Sequence, residues 1–324
     1  MEPAQQPIQR RSRIRRHSLA RTIVISPRDI AIFRLLDRYR YLPSNFIHAF
    51  VGGNSIRFKQ RLGDLFHEGF LNRPARQWQA MNARYRPAIY ELDRRATDCL
   101  AELGVRSGPR VGGSNNFAHE VMVCLVMASL ELGCRTGPAL RFVPWDELLA
   151  GAPAATRAAA NPFAFPLSIA HGAGRHVFDL KPDGRPFAIE HIRASGQRRG
   201  LFFPGLEIDR HTEPLNTFDL ERSSILRKIL AYREMVATEL YKHRLAMPNM
   251  LVPIVTVNRA HMENMLRLVL ALTNGKGASY LLFKTLPDLA SVERTIKPDD
   301  SILAEPWLRA GYPPFDLVQQ LRAA

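Results

Sequence analysis

Three short helices are predicted between Ser26 and residue 68, and this run constrains the fold more than any other part of the sequence. Ser26, Pro27 and Asp29 place a capping hydroxyl, a first-turn proline and a carboxylate in the order that opens a helix. Apolar residues then recur at helical spacing, at Ile30, Phe33, Leu36 and Tyr39. Residues 44–50 predict a second helix, which the glycines at 52 and 53 end because they accept positive backbone angles.

The third predicted helix, residues 56–68, is capped by Asn54 or Ser55 and has two chemically different sides. Its inner side is apolar and carries Phe58, Leu62, Leu65 and Phe66. The other side, near the N-terminal end, carries Arg57, Lys59, Gln60 and Arg61. A recognition helix presents such side chains to bases and phosphates, and Arg and Gln suit bidentate pairing with base edges. We therefore predict that these four residues bind DNA.

Two strands are predicted after the third helix, at residues 70–73 and 88–92, with an arginine-rich loop between them. The loop carries Arg76, Arg84 and Arg86, and Asp93 caps a further helix. Helix, helix, basic helix and basic hairpin is the order of a winged helix-turn-helix, which we predict for residues 26–108. The alternative is a small α+β domain whose third helix is charged only because it is exposed.

The positive charge of the chain is concentrated in its first third. Residues 1–110 hold 21 Lys and Arg against 9 Asp and Glu, which leaves 24 against 21 for the rest of a chain with net charge +15. Such a concentration attracts polyanions. Residues 10–21 carry six arginines without apolar periodicity, so residues 1–25 are expected to be a disordered basic arm. Its arginines, among them Arg13, Arg15 and Arg16, would follow phosphates or enter a minor groove; a merely solubilising tail is the alternative.

A membrane partner and a zinc site are disfavoured. The longest apolar stretch, residues 121–132, is too short to span a bilayer, and the arginine-rich N-terminus does not look like a secretory signal. Cys99, Cys124 and Cys134 form no C-x-x-C pair. These features predict a reduced, cytoplasmic protein that binds DNA or RNA.

A second domain is predicted over residues 109–290, after a turn-rich joint of glycines. Helix 117–132 and strand 140–143 come first, and an Ala- and Pro-rich loop over 150–166 follows. Strands are then predicted at 177–181, 201–209, 251–257 and 279–284, with a long helix at 218–243 and another at 261–273. This order indicates an α/β layer around a mixed sheet and resembles the restriction-endonuclease-like, or PD-(D/E)xK, fold.

Three carboxylates in this domain suggest metal chemistry. Asp183 lies in a Pro-Asp-Gly turn, and Glu207 and Asp209 are two apart at the end of a strand, so they project from one face. Hard oxygen ligands at a sheet edge bind Mg²⁺ or Mn²⁺, which activates water against a phosphodiester. We therefore predict that Asp183, Glu207 and Asp209 hold the metal.

The lysine that completes the nuclease motif is absent, because Asp209 occupies its place. Lys228, with Tyr232 one turn further along the helix, could supply a cation, and Arg210 is a second candidate. His119 and Glu120 do not form a metalloprotease motif, since residue 123 is valine, but either could border the metal site. The alternative is a salt-bridge cluster left from a nuclease ancestor and no longer catalytic.

These motifs together resemble the replication-relaxation proteins of plasmids, integrative elements and phages. The resemblance rests on Pro-Asp-Gly, on the string Glu207, Asp209, Arg210, Thr212 and Glu213, and on Lys228 with Tyr232, all behind a predicted winged helix. It covers roughly residues 26–285, and His119 also fits the pattern. The resemblance implies a role in the DNA processing of plasmids or mobile elements.

Two hypotheses follow. In the first, the winged helix locates duplex DNA and a Mg²⁺-dependent domain nicks it, with Asp183, Glu207, Asp209 and Lys228 as catalytic residues. In the second, the C-terminal domain is a pseudo-nuclease that serves dimerisation or docking, and the protein regulates replication or transcription. Both predict a bacterial cytoplasmic protein associated with the nucleoid or a plasmid, with double-stranded DNA, other replication or mobilisation proteins and a second copy as candidate partners. Residues 291–324 are assigned to a C-terminal extension.

Overall fold

The computed structural model divides the chain into two compact units, Met1–Ser107 (unit 1) and Gly108–Ala324 (unit 2). It describes residues 11–18, 20, 22–79, 82–105, 116–137, 139–172, 174–210, 214–215, 220, 222–290, 296–299 and 301–323. Both helices and sheets occur in each unit, so the chain has a mixed α and β fold. The turn-rich joint expected at 108–115 lies outside the described residues.

The described residues of unit 1 form four α-helices and a small antiparallel sheet. The helices are α1 (Pro27–Tyr39), α2 (Ser44–Val51), α3 (Ser55–His67) and α4 (Arg94–Glu102), and the strands are β1 (Leu42–Pro43), β2 (Leu71–Asn72) and β3 (Ile89–Leu92). The sheet has the order β1-β3-β2, with β3 antiparallel to both neighbours. Residues 73–88 connect β2 to β3 through two 3₁₀ turns, Ala75–Gln79 and Ala83–Tyr85. The predicted helices and the two strands after the third helix occur in the predicted order, whereas β1 between α1 and α2 was not predicted.

The predicted helix caps form as side-chain chemistry dictates. Ser26 and Asp29 make a reciprocal capping box at α1, and Asn54 Oδ1 accepts the backbone N–H groups of residues 56 and 57 at α3. Asp29 is also buried against α3, where Arg61 donates through Nε at 2.9 Å and Nη2 at 2.6 Å. The Arg61 guanidinium therefore joins α3 to α1, which distinguishes it from the three exposed residues predicted beside it.

The basic segment before α1 also differs from the expectation of a disordered arm, at least over residues 11–18. Arg11 pairs with Asp64, Arg16 pairs with Asp93, and Arg13 donates to the backbone carbonyl of residue 86 at 2.7 Å. Arg15 is exposed. Composition could not show this docking, because the carboxylates that hold the segment lie 50 or more residues further along the chain. Residues 1–10 lie outside the described part.

His67 at the end of α3 makes the docking of this segment sensitive to pH. Its Nδ1 accepts a hydrogen bond from the backbone N–H of His17 at 3.1 Å, so this nitrogen must carry no proton. Burial, together with the guanidiniums of Arg11 and Arg73, lowers the pKa of His67 to about 4. His67 is therefore protonated at a lower pH in the folded state than in the unfolded chain, where its pKa is near 6.5. The stability that this contact contributes is lost as the pH falls from about 6.5 to 4.

We expect hydrogen exchange in residues 11–18, corrected for the intrinsic rate, to be faster at pH 5 than at pH 7. The variant His67→Asn keeps an acceptor near the position of Nδ1 but cannot titrate, so its exchange should differ little between the two pH values. Equal pH dependence in the variant and the original chain would show that His67 is not the responsible group.

Unit 2 is built on a five-stranded mixed sheet of order β13-β12-β11-β10-β9. Its strands are β9 (Glu207–Asp209), β10 (Val252–Thr256), β11 (Leu281–Thr285), β12 (Trp307–Arg309) and β13 (Tyr312–Phe315). Strands β9, β10 and β11 are parallel to one another. Strand β12 is antiparallel to β11, and β13 is antiparallel to β12. A mixed sheet is thus present, but the strands expected at 140–143 and 177–181 are not part of it. Its last two strands come from the segment that we assigned to a C-terminal extension, and α11 (Ser301–Ala304) and α12 (Leu317–Arg322) accompany them.

Two smaller antiparallel sheets precede the mixed sheet in the chain. One contains β4 (Leu140–Val143), β7 (Phe187–Ile192) and β8 (Arg198–Phe203) in the order β4-β7-β8, and the other is the hairpin of β5 (Phe165–His171) and β6 (Gly174–Leu180). The segment 150–166 is not a plain loop. It includes the end of α6 (Trp145–Gly151), all of α7 (Ala154–Ala158) and the start of β5. Ala and Pro lack a clear period, which is why these elements were not predicted.

Two predicted elements are divided in the structure. The strand expected at 201–209 is split into β8 and β9, which belong to different sheets, because Pro204 and Gly205 intervene. The long helix expected at 218–243 is two helices, α8 (Ile225–Ala237) and α9 (Leu240–Leu245). Glu239 between them has a left-handed φ of 51°, which no continuous helix allows.

Helix α5 (Phe117–Thr136) is longer than the sequence indicated, and its length and composition would suffice to cross a membrane. However, 72% of its apolar window is buried inside the fold. It packs against β4 and α11, with Gly133 in contact with Leu303. It is therefore a largely buried helix of unit 2. The remaining helix of this unit, α10 (Arg259–Leu272), packs with α8 and the parallel strands around buried residues such as Ile254 and Phe283.

Candidate functional site

A cluster of ionisable side chains lies at β9, the edge strand of the mixed sheet. Glu207 and Asp209 stand opposite Ile254 and Thr256 of β10 in the parallel register. Because residues in register share a face of the sheet, both carboxylates lie on the face that carries Ile254, which packs against α8 and α10. The alternation expected from the sequence therefore places both acids towards these two helices.

The Pro-Asp-Gly turn is attached directly to the same strand. Gly184 forms an isolated antiparallel bridge with Leu206, and its backbone N–H donates to the Leu206 carbonyl at 2.8 Å. A Cβ on Gly184 would lie 2.8 Å from Cβ of Leu206, so glycine is required at this close approach. Asp183 Oδ2 in turn accepts the backbone N–H of Ile208 at 3.0 Å. The turn thus fixes the Asp183 carboxylate beside β9.

Lys228 of α8 joins the two acids. Its Nζ lies 3.3 Å from Asp183 Oδ2 and 2.9 Å from Glu207 Oε2. Tyr232, one turn further along α8, donates its hydroxyl to Glu207 Oε1 at 2.5 Å. His119 of α5 places Nε2 3.2 Å from Asp183 Oδ1. These five residues, which we call the β9 cluster, come from four separate parts of the chain, since Lys228 and Tyr232 share α8, and they converge at one place.

The charges of the β9 cluster are uneven. Burial raises the pKa of Glu207 to about 8, against the attraction of Lys228. Burial opposes ionisation of Asp183 too, but there the Lys228 ammonium and the hydrogen bond from His119 outweigh it and hold the pKa of Asp183 well below its usual range. Burial and the neighbouring Glu207 raise the pKa of Tyr232 well above 10. Asp183 is therefore the stronger acid of the two carboxyls, and its carboxylate and the Lys228 ammonium offset each other.

Asp209 has a different partner from the other two acids. Its Oδ2 is hydrogen-bonded to Nε2 of His261, and both side chains are almost fully buried. Asn258 caps α10 by accepting the His261 backbone N–H at 3.2 Å, which fixes this histidine in the first turn of the helix. Asp209 is thus held by His261 of α10. His261 was not among the predicted site residues, although its place three residues after a capping Asn was a usable signal.

The other residues that the sequence suggested for the site do not all lie within the β9 cluster. Arg210 donates to Asn116 Oδ1 at 3.2 Å, so it contacts the residue that caps α5. Glu120 lies half-buried in the first turn of α5, one residue after His119. Thr212 and Glu213, which belong to the motif string, lie outside the described residues.

A divalent cation would fit two of the three predicted ligands. Glu207 Oε2 is buried without a well-directed hydrogen bond, although the Lys228 ammonium is 2.9 Å away. Asp183 and Glu207 are hard oxygen donors, and Mg²⁺ binds through one or two carboxylates while it keeps several waters. Among the described residues, no group of three or more His, Cys, Asp or Glu side chains is arranged to hold a metal ion. Asp209, paired with His261, therefore stands apart from the ligand set that we expected.

The predicted DNA-binding residues of unit 1 lie on three segments, namely residues 11–18 with Arg13, Arg15 and Arg16, helix α3, and the connection 73–88. On α3, Arg57, Lys59 and Gln60 are exposed, and Ile56 beside them is 67% exposed. On the connection 73–88, Arg76 and Arg84 are exposed and Arg86 is half-buried. The side chain of Gln77 braces this connection, since it donates to and accepts from the backbone of Ile89.

Comparison with known proteins gives one match. The chain is similar to a family model described as replication-relaxation over residues 33–265, which covers most of both units. Neither a curated protein nor a solved structure matches the chain.

Proposed function

The chain belongs to the replication-relaxation family, and on that premise we propose that it acts in the replication or relaxation of a plasmid or other mobile element by binding double-stranded DNA. The observation that carries the proposal is the exposed basic start of α3. Arg57, Lys59 and Gln60 project from a helix whose opposite side is fixed in the core by Phe58 and Leu62. Rigid placement of this kind suits recognition of base edges and phosphates.

The order of elements in unit 1 supports a winged helix-turn-helix. Helix α3 follows α2 after a turn through Gly52 and Gly53, and the connection 73–88 between β2 and β3 stands where a wing would be. In such domains the last of the three helices enters the major groove while the wing contacts the backbone. Arg76 and Arg84 on this connection would bind phosphates.

Binding to a labelled duplex by the full chain tests the proposal. We expect saturable binding at low salt that weakens steeply as salt rises, because cations on the protein release counterions from the DNA. Absence of binding to any duplex at 50 mM salt, with the protein folded, would contradict the proposal. The same view places the protein in the cytoplasm with DNA, where other replication or mobilisation proteins and a second copy of the chain are its candidate partners.

Metal-dependent nicking of DNA is a second candidate function, and the β9 cluster favours it. Asp183, Glu207 and Lys228 converge from three elements, and one buried oxygen of Glu207 is left without a directed hydrogen bond. Asp183 and Glu207 would hold Mg²⁺ or Mn²⁺, which supplies a nucleophilic water at neutral pH when it is bound. Lys228 would offset negative charge beside the two carboxylates, and Tyr232 and His119 would fix their orientations.

We expect nicking of supercoiled plasmid with Mg²⁺ or Mn²⁺ to fall at least about 100-fold in Asp183→Asn and in Glu207→Gln, because each substitution removes a ligand charge. Glu190→Gln is the matched control, since Glu190 is a carboxylate of β7 that pairs with Arg141 and not with the β9 cluster. Equal activity in all four proteins would assign the nicking to a contaminant. It would leave the second hypothesis, a pseudo-nuclease module for docking or dimerisation.

A further inference from the structure

The ribbon of β7 and β8 extends beyond its sheet. Among the described residues, β4 pairs with β7 from Ala188 to His191, and the Ile192 N–H donates to the Ala139 carbonyl at 2.9 Å. Ile192 also pairs with Arg198 of β8, and a tight turn closes the ribbon with the Arg193 N–H donating to the Gln197 carbonyl at 2.9 Å. Gly196 in this turn has φ +82°, which favours glycine. We call residues 192–199 the ribbon tip.

The ribbon tip carries cations without carboxylates. Arg193, Arg198 and Arg199 lie on it, and the sequence contains no Asp or Glu between Glu190 and Glu207. Glu190 at its base is already paired with Arg141, whose Nη1 is 3.0 Å away. Arg198 approaches the same carboxylate only to 3.7 Å and keeps 59% of its side chain exposed. The local excess of positive charge is notable because residues 111–324 together are nearly balanced.

We propose that the ribbon tip is a DNA-binding element of unit 2, which contacts the phosphates of a duplex separately from α3 in unit 1. A two-stranded ribbon fits the major groove, and guanidiniums bind phosphate oxygens in a bidentate manner. Arg193 also bonds to Gln197 Oε1 at 3.1 Å across the turn, which limits the freedom that its guanidinium would lose on binding. The proposal rests on the proposed function, since it adds a second contact to the same ligand.

The test compares two triple variants of the full chain on a labelled duplex over a salt series. Arg193→Ala/Arg198→Ala/Arg199→Ala removes the cations of the ribbon tip. Arg233→Ala/Arg267→Ala/Lys276→Ala removes three exposed cations elsewhere in unit 2 and changes the net charge equally. We expect the ribbon variant to bind about tenfold or more weakly, and the slope of log affinity against log salt to fall in magnitude by about 2 to 3. The control variant should lose less than about threefold.

Replacement of the same three arginines by lysine should retain most of the slope, since lysine keeps the charge. The proposal is overturned if the ribbon variant and the control variant bind alike, or if the loss appears only on single-stranded DNA. If the unmodified chain binds no duplex, the proposed function itself fails. If it binds and the ribbon variant matches the control, the ribbon proposal alone fails. A melting temperature within about 3 °C of the original chain shows that each variant is folded.

Discussion

Replacing Lys228 by Met should destabilise unit 2 by about 3 kcal/mol, because removal of one partner leaves buried negative charge without compensation. Lys228 is the ammonium that both Asp183 and Glu207 contact, and its side chain is only 13% exposed. The methionine keeps the length and apolar stem of the lysine, so the loss of packing is small. Without the ammonium, the pKa values of both carboxyls rise, and the destabilisation should therefore grow as the pH is raised.

Denaturant unfolding in a Trp78→Phe background measures this effect. Trp145 and Trp307, both in unit 2, are then the remaining tryptophans and report on this unit. The double variant Asp183→Asn/Lys228→Met restores neutrality and should recover a large part of the loss, so the two substitutions should be strongly non-additive. A Lys228→Met protein within about 0.5 kcal/mol of the original chain would show that the β9 cluster is not a charge-compensated network.

Replacing Arg57, Lys59 and Gln60 together by Ala should lower the affinity for duplex DNA about 100-fold, since each good base or phosphate contact is worth on the order of 1–3 kcal/mol. Alanine is the best helix former and the three side chains are exposed, so α3 should keep its fold. Arg61 is not replaced, because it pairs with buried Asp29 and its removal would destabilise unit 1.

The matched control is Arg34→Ala/Arg94→Ala, which removes two cations as the α3 variant does. Arg34 is exposed on α1, and the Arg94 side chain is 90% exposed on α4. Anisotropy of a labelled duplex at fixed salt gives both affinities. A control variant that loses as much affinity as the α3 variant would attribute the effect to net charge and not to the surface of α3.

The helices of unit 1 could be predicted because their signals are local. Ser26, Asn54 and Asp93 cap the helices that follow them, and each apolar side matches the 3.6-residue period. The docking of residues 11–18 could not be predicted, since it depends on carboxylates at Asp64 and Asp93 that are distant in the chain. In unit 2, β5 and β7 went unpredicted, and the division at Pro204 and Gly205 depends on a change of sheet that periodicity does not reveal.

The sequence pattern identified the members of the β9 cluster as site residues, but it did not predict which basic side chain contacts which carboxylate. Glu207 and Asp209 do share a face, yet Glu207 is held by α8 and Asp209 by His261 of α10. Which helix faces which acid depends on the packing of α8 and α10 on the sheet, and a single sequence carries no record of it. Arg61 shows the same limit. Helical spacing predicted that its side chain would be exposed, whereas in the folded chain it pairs with Asp29 of α1.

The most direct test of DNA binding through α3 is the salt dependence of duplex affinity, compared between the original chain and Arg57→Ala/Lys59→Ala/Gln60→Ala. Each phosphate contact contributes about −0.9 to the slope of log affinity against log salt. We predict that loss of Arg57 and Lys59 reduces the magnitude of this slope by about 2. An unchanged slope in a folded variant would contradict the assignment of α3 as the DNA-binding helix.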